Sequence, residues 1–255
     1  MNLTIDKARA WMDIALDIGV RMLETGAEIN RAEESVSRIC EAFGATKVEV
    51  YAVNYLIIVT ISGEGYSGIT EARRVRWHDR NLTKLAALNE LSRNICSRKI
   101  QYDDIGQKLD EIDGMKGINL LQLMLIYALI SSSFTIFFGG NILDASVSGV
   151  IGILVAPIDR LLSVLRMNRF IRLGLCSFFC GIVATLSLKV GLQVSVSEIG
   201  IGNIMIFIPG VIFTYAIQEI LANNTMSGFS KMIEAVVISM VVAAGFVLAS
   251  AQIFY

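Results

Sequence analysis

The sequence predicts an α-helical membrane protein, in which five transmembrane helices follow a small cytoplasmic α+β domain of the order ααβββαα. Charge is distributed unevenly: 34 of the 45 Lys, Arg, Asp and Glu residues lie in 1–117, and 118–255 is too apolar for a soluble domain. The second part contains five apolar stretches, each long enough to cross a hydrocarbon core of about 30 Å. Within 1–117 the apolar pattern changes from helical to alternating and back. We therefore expect two domains, 1–117 and 118–255.

The first domain shows two helical segments, then three strand segments, then two further helical segments. Apolar residues recur every third or fourth position in the helical segments, and Gly26 and Gly44 are suited to end the first two. Alternating and β-branched residues predict three antiparallel strands. The predicted ranges are 5–23 and 27–43 for the first helices, 46–53, 54–62 and 69–77 for the strands, and 82–97 and 102–112 for the last helices.

The second domain consists of five apolar stretches, at 118–138, 145–165, 170–188, 201–221 and 233–254. Arg166, Arg169 and Arg172 come between the second and third stretches, with Arg160 just before them, whereas the connection between the first and second carries no Lys or Arg. Connections rich in Lys and Arg remain on the cytoplasmic side of a membrane. This rule predicts a multi-pass protein of the cell (inner) membrane, with its N-terminus in the cytoplasm and its C-terminus outside.

The fourth stretch combines a helix-breaking pair with polar side chains. Pro209 lacks a backbone N–H and Gly210 loosens the helix, so a bend or break is expected there. In lipid, freed backbone groups are tolerated only beside protein or water, and polar side chains at that depth are most often functional. We interpret the stretch as part of a solute pathway that includes Asn203, Pro209, Gly210, Tyr215, Gln218 and Glu219. The alternative is a kink sealed by neighbouring helices, with Glu219 reaching the cytoplasmic surface.

Three further charged residues are expected near the cytoplasmic ends of the apolar stretches. Asp159 and Arg160 follow Pro157 and can neutralise each other, and Glu234 lies at the start of the last stretch. Together with Glu219 they would form a set of charges where a solute leaving the cell enters. The alternative is that these charges only mark helix ends.

The first domain offers few groups that could do chemistry. Glu24, Glu28 and Arg31 lie on neighbouring turns, where a solvated face with ion pairs is the simpler interpretation. No nucleophile with a partner base accompanies Glu33 or the other acids, and His78 is expected in a loop. With one histidine and four cysteines no metal site is predicted, and neither domain is basic enough for nucleic acid. We expect no cofactor, and the sequence does not favour an enzyme.

Three motifs occur together along the chain. The first is LETGA at 23–27 with RAEE at 31–34, the second is NLTKL at 81–85 with LNELSR at 88–93, and the third is Pro209-Gly210 followed by Ser227-Gly228. In this combination the sequence resembles the bacterial threonine/serine exporter family, in its short (split) large-subunit form related to the two-component succinate exporter. In the first domain the resemblance singles out Glu24, Gly26, Glu28, Arg31, Glu33, Asn81 and Asn89. Where the family usually has Asn, Arg and Asp after Pro-Gly, this chain has Tyr215, Gln218 and Glu219.

The resemblance implies the large subunit of a secondary exporter for small polar solutes, either threonine and serine or C4 dicarboxylates such as succinate. A small membrane subunit would complete it. A gradient of protons or another ion would drive it, since the chain has no Gly-rich nucleotide-binding loop, and Glu219 would carry the proton. Two alternatives remain: a membrane-anchored hydrolase that uses the region of Glu24, Glu28 and Glu33, or a sensor whose spans only assemble with a partner.

Overall fold

The computed structural model describes residues 5–76, 81–115 and 117–254, with the backbone alone for 252–254. The chain divides into two compact units. The first comprises Met1–Gly117 and Gln218–Gly228, and the second comprises Ile118–Ile217 and Phe229–Tyr255. The short segment Gln218–Gly228 falls within the predicted membrane domain, yet it groups with the first unit. His78, which we expected in a loop, lies outside the described residues.

The first unit contains the predicted order of helices and strands. Its elements are α1 (Ile5–Glu24), α2 (Ile29–Ala42), β1 (Lys47–Val53), β2 (Leu56–Gly63), β3 (Tyr66–Arg74), α3 (Leu82–Cys96) and α4 (Tyr102–Asp113). Helix α1 ends at the predicted glycine. Gly26 has a φ of 96°, and the turn that it forms lets the N–H of Ala27 reach the carbonyl of Met22 at 2.9 Å.

The three strands form an antiparallel sheet in the order β1-β2-β3. Alternate residues of the central strand face the helices, and Ile57, Val59 and Ile61 are almost completely buried there. They join one apolar core with Leu16 of α1 and Val36 of α2. Each fully buried side chain of this kind stabilises the fold by about 1.5–3 kcal/mol, so this core, built from the amphipathic faces of both helices, holds the unit together.

The second unit is helical throughout its described secondary structure. Its elements are α5 (Leu120–Phe137), α6 (Ile142–Val164), α7 (Arg169–Lys189), α8 (Val196–Ile204), α9 (Gly210–Leu221) and α10 (Thr225–Phe254), although the end of α9 and the start of α10 belong to the first unit. Asn119 and Asn141 begin α5 and α6 with capping boxes, in which the Asn side chain accepts from the backbone three residues on.

Four described helices are long and apolar enough to cross a membrane: α5, α6, α7 and α10. Five continuous spans are therefore not confirmed, because the predicted fourth stretch, 201–221, is divided between α8 and α9. The predicted break explains the difference. Pro209 cannot donate a helical hydrogen bond, and its ring clashes with the carbonyl four residues earlier, so neither helix extends through it.

Glycines allow the helices of the second unit to pack closely. A Cβ on Gly152 of α6 would lie 2.7 Å from the carbonyl oxygen of Tyr127 of α5, and a Cβ on Gly181 of α7 would lie 2.9 Å from the carbonyl oxygen of Phe246 of α10. Small residues at these positions bring helix backbones together, which is how helices associate where water supplies no driving force.

Candidate solute pathway

The break between α8 and α9 runs from Met205 to Pro209. Tight turns replace the helical ladder here: the N–H of Phe207 donates to Ile204 O at 2.9 Å, and the N–H of Gly210 donates to Ile208 O at 2.9 Å. Phe207 and Pro209 are buried. Ile208 between them is 41% exposed, so the irregular backbone of the break is only partly covered. Irregular backbone packed against protein is where membrane proteins place solute and ion sites.

A cluster of buried polar side chains lies immediately before the break. Asn203 of α8 donates through Nδ2 to Ser148 Oγ of α6 at 2.8 Å, and Ser148 Oγ lies 2.7 Å from Thr135 Oγ1 of α5. Ser131 Oγ, one turn earlier on α5, donates to the Ser148 carbonyl at 3.0 Å. All four side chains are fully buried. This polar cluster therefore joins three helices of the second unit.

One acceptor in the polar cluster has no hydrogen-bond donor among the described residues. Asn203 Nδ2 also donates to the carbonyl of Ile199 at 2.9 Å, which fixes the amide orientation because a carbonyl can only accept. Asn203 Oδ1 then points elsewhere and is buried without a partner in the described part of the chain. A buried acceptor left unpaired costs about 1–3 kcal/mol, so this atom favours a donor supplied by water or by a solute.

A second cluster, the ionic cluster, lies beside the break. Tyr127 of α5 donates its hydroxyl to Asp159 Oδ2 of α6 at 3.0 Å, and Arg172 Nε of α7 lies 3.4 Å from Asp159 Oδ1. The ring of Tyr127 also meets the ring of Phe207 edge to face, with centroids 6.4 Å apart. Arg172 Nε makes no hydrogen bond with any described residue. The ionic cluster thus holds an anion and a cation in one ion pair, next to the irregular backbone.

The remaining charged residues of the second unit pair differently from the sequence interpretation. Asp159 and Arg160 do not neutralise each other: Arg160 Nη1 donates to the carbonyl of Ile118 at 2.8 Å. Neighbouring residues on a helix point about 100° apart, so they meet different partners. Glu234 of α10 pairs with Arg169 of α7 at 2.7 Å, and this pair is partly exposed.

The structure separates the pathway residues predicted on the fourth stretch. Asn203 and Pro209 are buried in the second unit, Gly210 begins α9, and Tyr215 is half-buried along it. Gln218 and Glu219 belong to the first unit, where Gln218 is exposed and Glu219 is only 4% exposed. The carboxylate of Glu219 accepts from the N–H of Ile29, the first residue of α2, at 3.2 Å. Its role as a proton carrier stays a prediction.

Two motifs of the first domain meet in space. The N–H of Asn81 donates to the carbonyl of Thr25, next to Gly26, at 3.1 Å, and the Asn81 side chain caps α3 by accepting from the N–H of Lys84 at 3.0 Å. Glu24 accepts from the N–H of Arg76 at 3.4 Å. The backbone bond from Asn81 to Thr25 joins the turn after α1 to the start of α3, and the described residues of the two motifs form no catalytic arrangement.

Other motif residues of the first domain have local partners. Asn89 donates to the carbonyl of Leu85 within α3 at 3.0 Å. Glu28 precedes α2 and Arg31 lies on its first turn; both are exposed, and they make no ion pair in the described part of the chain. The arrangement agrees with a solvated face.

Glu33 is the motif residue with the most unusual surroundings. Its carboxylate accepts from the N–H of Ala52 on β1 at 2.7 Å. Burial raises the pKa of Glu33, the bond from Ala52 opposes that effect, and the nearby charge of Glu219 raises the pKa further. Two carboxylates, Glu33 and Glu219, therefore lie near each other in the first unit.

Comparison with known families decides the assignment. A family model described as "putative threonine/serine exporter" matches residues 13–253, nearly the whole chain. The chain belongs to the threonine/serine exporter family. No curated protein and no solved structure matches it. Membership in a transporter family, together with four helices able to cross a membrane, supports a membrane protein with a role in threonine/serine export.

Sequence reasoning missed several residues that the structure of this exporter brings together. Tyr127 and Arg172 complete the ionic cluster, and Ser131, Thr135 and Ser148 complete the polar cluster. Ser131 and Thr135 are the only buried residues of α5. The signal that would have found them is their spacing of four on a mostly apolar helix, which predicts a polar stripe facing other helices.

Proposed function

We propose that the chain is the large subunit of a two-component secondary exporter, which moves small polar metabolites out of the cell across the inner membrane. The observation that carries the proposal is the broken helix α8–α9, flanked by the polar cluster on one side and the ionic cluster on the other. A polar solute can cross an apolar helix bundle only where polar groups replace its water, and irregular backbone with polar side chains supplies such groups. The first unit lies in the cytoplasm under this proposal.

The ionic cluster favours an amino-acid solute over a C4 dicarboxylate. The guanidinium of Arg172 is a cation that attracts a carboxylate, and Asp159 is an anion that attracts an ammonium group. The zwitterion of threonine or serine presents both a carboxylate and an ammonium group. A dicarboxylate would bring a second negative charge close to Asp159, which is unfavourable.

The two short helices would together make a fifth crossing. Ser195, just before α8, donates its N–H to Asp144 near the start of α6 at 2.8 Å, whereas α9 ends and α10 begins in the first unit. Under this proposal α8 enters from the outer side, α9 leaves on the cytoplasmic side, and the break lies between them. An ion gradient, of protons if Glu219 is the carrier, would drive the movement.

A small membrane subunit would cover helix α5. Apart from Ser131 and Thr135, the residues of α5 are not buried, and Leu129 and Phe137 are largely exposed. Lipid alone would satisfy these apolar side chains. However, one face of α5 already lines the two clusters, so a partner chain packed on its opposite face would hold α5 in place beside the pathway. We expect the partner to be an apolar, multi-span chain without a soluble domain.

Export from cells tests the proposal. Cells that express this chain with and without a candidate small subunit would be loaded with labelled serine, threonine or succinate, and efflux would be measured. We expect efflux of serine and threonine, faster than that of succinate, only when both chains are present. Efflux of none of the three would contradict the proposal and would favour a sensor or a membrane-anchored hydrolase.

A further inference from the structure

The connection between α9 and α10 is built into the first unit. The segment Gln218–Gly228 ends one apolar helix and begins the next, yet it packs with Met1–Gly117. Glu219 and Ser227 are 4% and 3% exposed, although both are polar. Polar groups are buried to this extent only when they have partners, so the contacts of this segment define how it is held.

Glu219 serves the N-terminus of α2 in place of a local cap. The first N–H groups of a helix have no partner within it, and the N-cap residue of α2, Glu28, makes no side-chain cap. Glu219 Oε1 accepts from the N–H of Ile29 at 3.2 Å, and a carboxylate at this end also interacts favourably with the helix dipole. A residue 190 positions along the chain thus caps α2.

Two asparagines attach the rest of the segment. Asn224 Nδ2 donates to Asn30 Oδ1 on α2 at 2.7 Å and to Glu219 Oε2 at 3.0 Å. Asn54, which lies in the turn between β1 and β2 and is buried, donates to the carbonyl of Ser227 at 3.1 Å. The segment is therefore held from both the helix layer and the sheet of the first unit.

We propose that the first unit positions α9 for export. Its contacts with the α9–α10 connection, which we call the grip, persist throughout the export cycle, so that the end of α9 beyond the break moves only together with the first unit. Asn30, Asn54, Asn224 and Glu219 are the positioning residues. The inference rests on the proposed function, because it needs α9 to take part in export. This positioning role of the first unit requires no catalytic group.

Cross-linking tests whether the grip is permanent. The double variant Asn30→Cys/Asn224→Cys would be oxidised in membranes, with each single variant as its control, and linked peptides would be identified by mass spectrometry. We expect a link in the double variant alone and an export rate that is no lower after linking than before it, because the disulfide replaces the hydrogen bond that the substitutions remove. A link that stops export would overturn the proposal, since the contact would then have to open in each cycle, and absence of a link would overturn the grip itself.

Loosening the grip is the complementary test. Asn54→Ala removes the bond to Ser227, and Asn224→Ala is a second variant on the segment itself; Asn89→Ala is the matched control, because its side chain bonds only within α3. We expect hydrogen exchange over 218–228 to become roughly tenfold faster in both test variants and export to fall, with neither change in the control.

The outcomes of this test separate the inference from the proposed function. If hydrogen exchange becomes faster while export stays at the wild-type rate, the grip does not position α9. If hydrogen exchange is unchanged, these bonds do not hold the segment. Either result overturns the inference. If the unaltered chain and its partner export nothing, the proposed function fails, whereas the exchange and cross-linking results still decide whether the segment is gripped.

Discussion

At the scale of single residues, one carboxylate in the second unit is shared by a hydroxyl and a guanidinium. Tyr127→Phe removes the hydroxyl that donates to Asp159 and leaves the ring in place. A hydrogen bond to a charged group contributes about 1.5–3 kcal/mol, so we expect a lower Tm of the purified chain and slower export. Tyr51→Phe, at a side chain that is 60% exposed, is the control. Equal Tm and equal export in both variants would remove Tyr127 from the pathway.

Glu219 carries the sharpest residue-scale prediction. Glu219→Gln keeps the shape and still offers an oxygen to the N–H of Ile29, but it removes the ionisable carboxyl group and the acceptor of the bond from Asn224. We expect it to abolish gradient-driven export between about pH 6 and 8 without affecting expression or assembly with the partner. Glu234→Gln, in a partly exposed pair with Arg169, should have a smaller effect. Accumulation against the gradient at a normal rate in Glu219→Gln would place the coupling site elsewhere.

At the scale of helices, the packing of α8 against α5 depends on one glycine. A Cβ on Gly202 would collide with Thr135 Oγ1 and lie 2.8 Å from the carbonyl oxygen of Ser131, whereas a Cβ on Gly210 would meet nothing within 4 Å. We expect Gly202→Ala to separate the helices, lower the Tm and stop export, because overpacking costs about 1–3 kcal/mol. Gly210→Ala, on the other side of the break, should be tolerated. A stable, active Gly202→Ala variant would contradict the described packing.

The helix boundaries show what the sequence could and could not predict. The break at Pro209 follows from proline chemistry and was predicted. The early start of α10 at Thr225, rather than at 233, was not, because apolar content locates a membrane stretch but not the end of its helix. Near that end Asn54 donates to the carbonyl of Ser227, and this contact joins residues 173 positions apart, which a local pattern does not reveal.

The same reasoning applies to the candidate site. Asn203 and Asp159 were predicted because polar residues in apolar stretches are rare and costly. Their partners were not, because Ser148, Tyr127 and Arg172 belong to other helices, and only the packing of α5, α6, α7 and α8 brings them together. The two motifs of the first domain were identified from their residues. The hydrogen bond from the N–H of Asn81 to the carbonyl of Thr25, which links them, could not be predicted from the sequence.

At the scale of the whole molecule, the proposed topology places the first unit in the cytoplasm. Burial raises the pKa of the Cys40 thiol to about 12, so that native cysteine reacts too slowly to report on exposure. Exposed Ser67 is a better position for a probe. We expect an impermeant thiol reagent to miss Ser67→Cys in intact cells and to label Tyr255→Cys, a position outside the described residues. Labelling at Ser67→Cys in intact cells would overturn the topology.

Under the proposed function, this chain forms a gradient-driven exporter only together with a small membrane subunit. Transport of labelled serine into vesicles by the purified chain, alone and with that subunit, under an imposed proton gradient, tests it most directly. We expect gradient-dependent serine transport when both chains are present and no transport with this chain alone. Full transport by this polypeptide alone, or no transport when both chains are assembled, would contradict it.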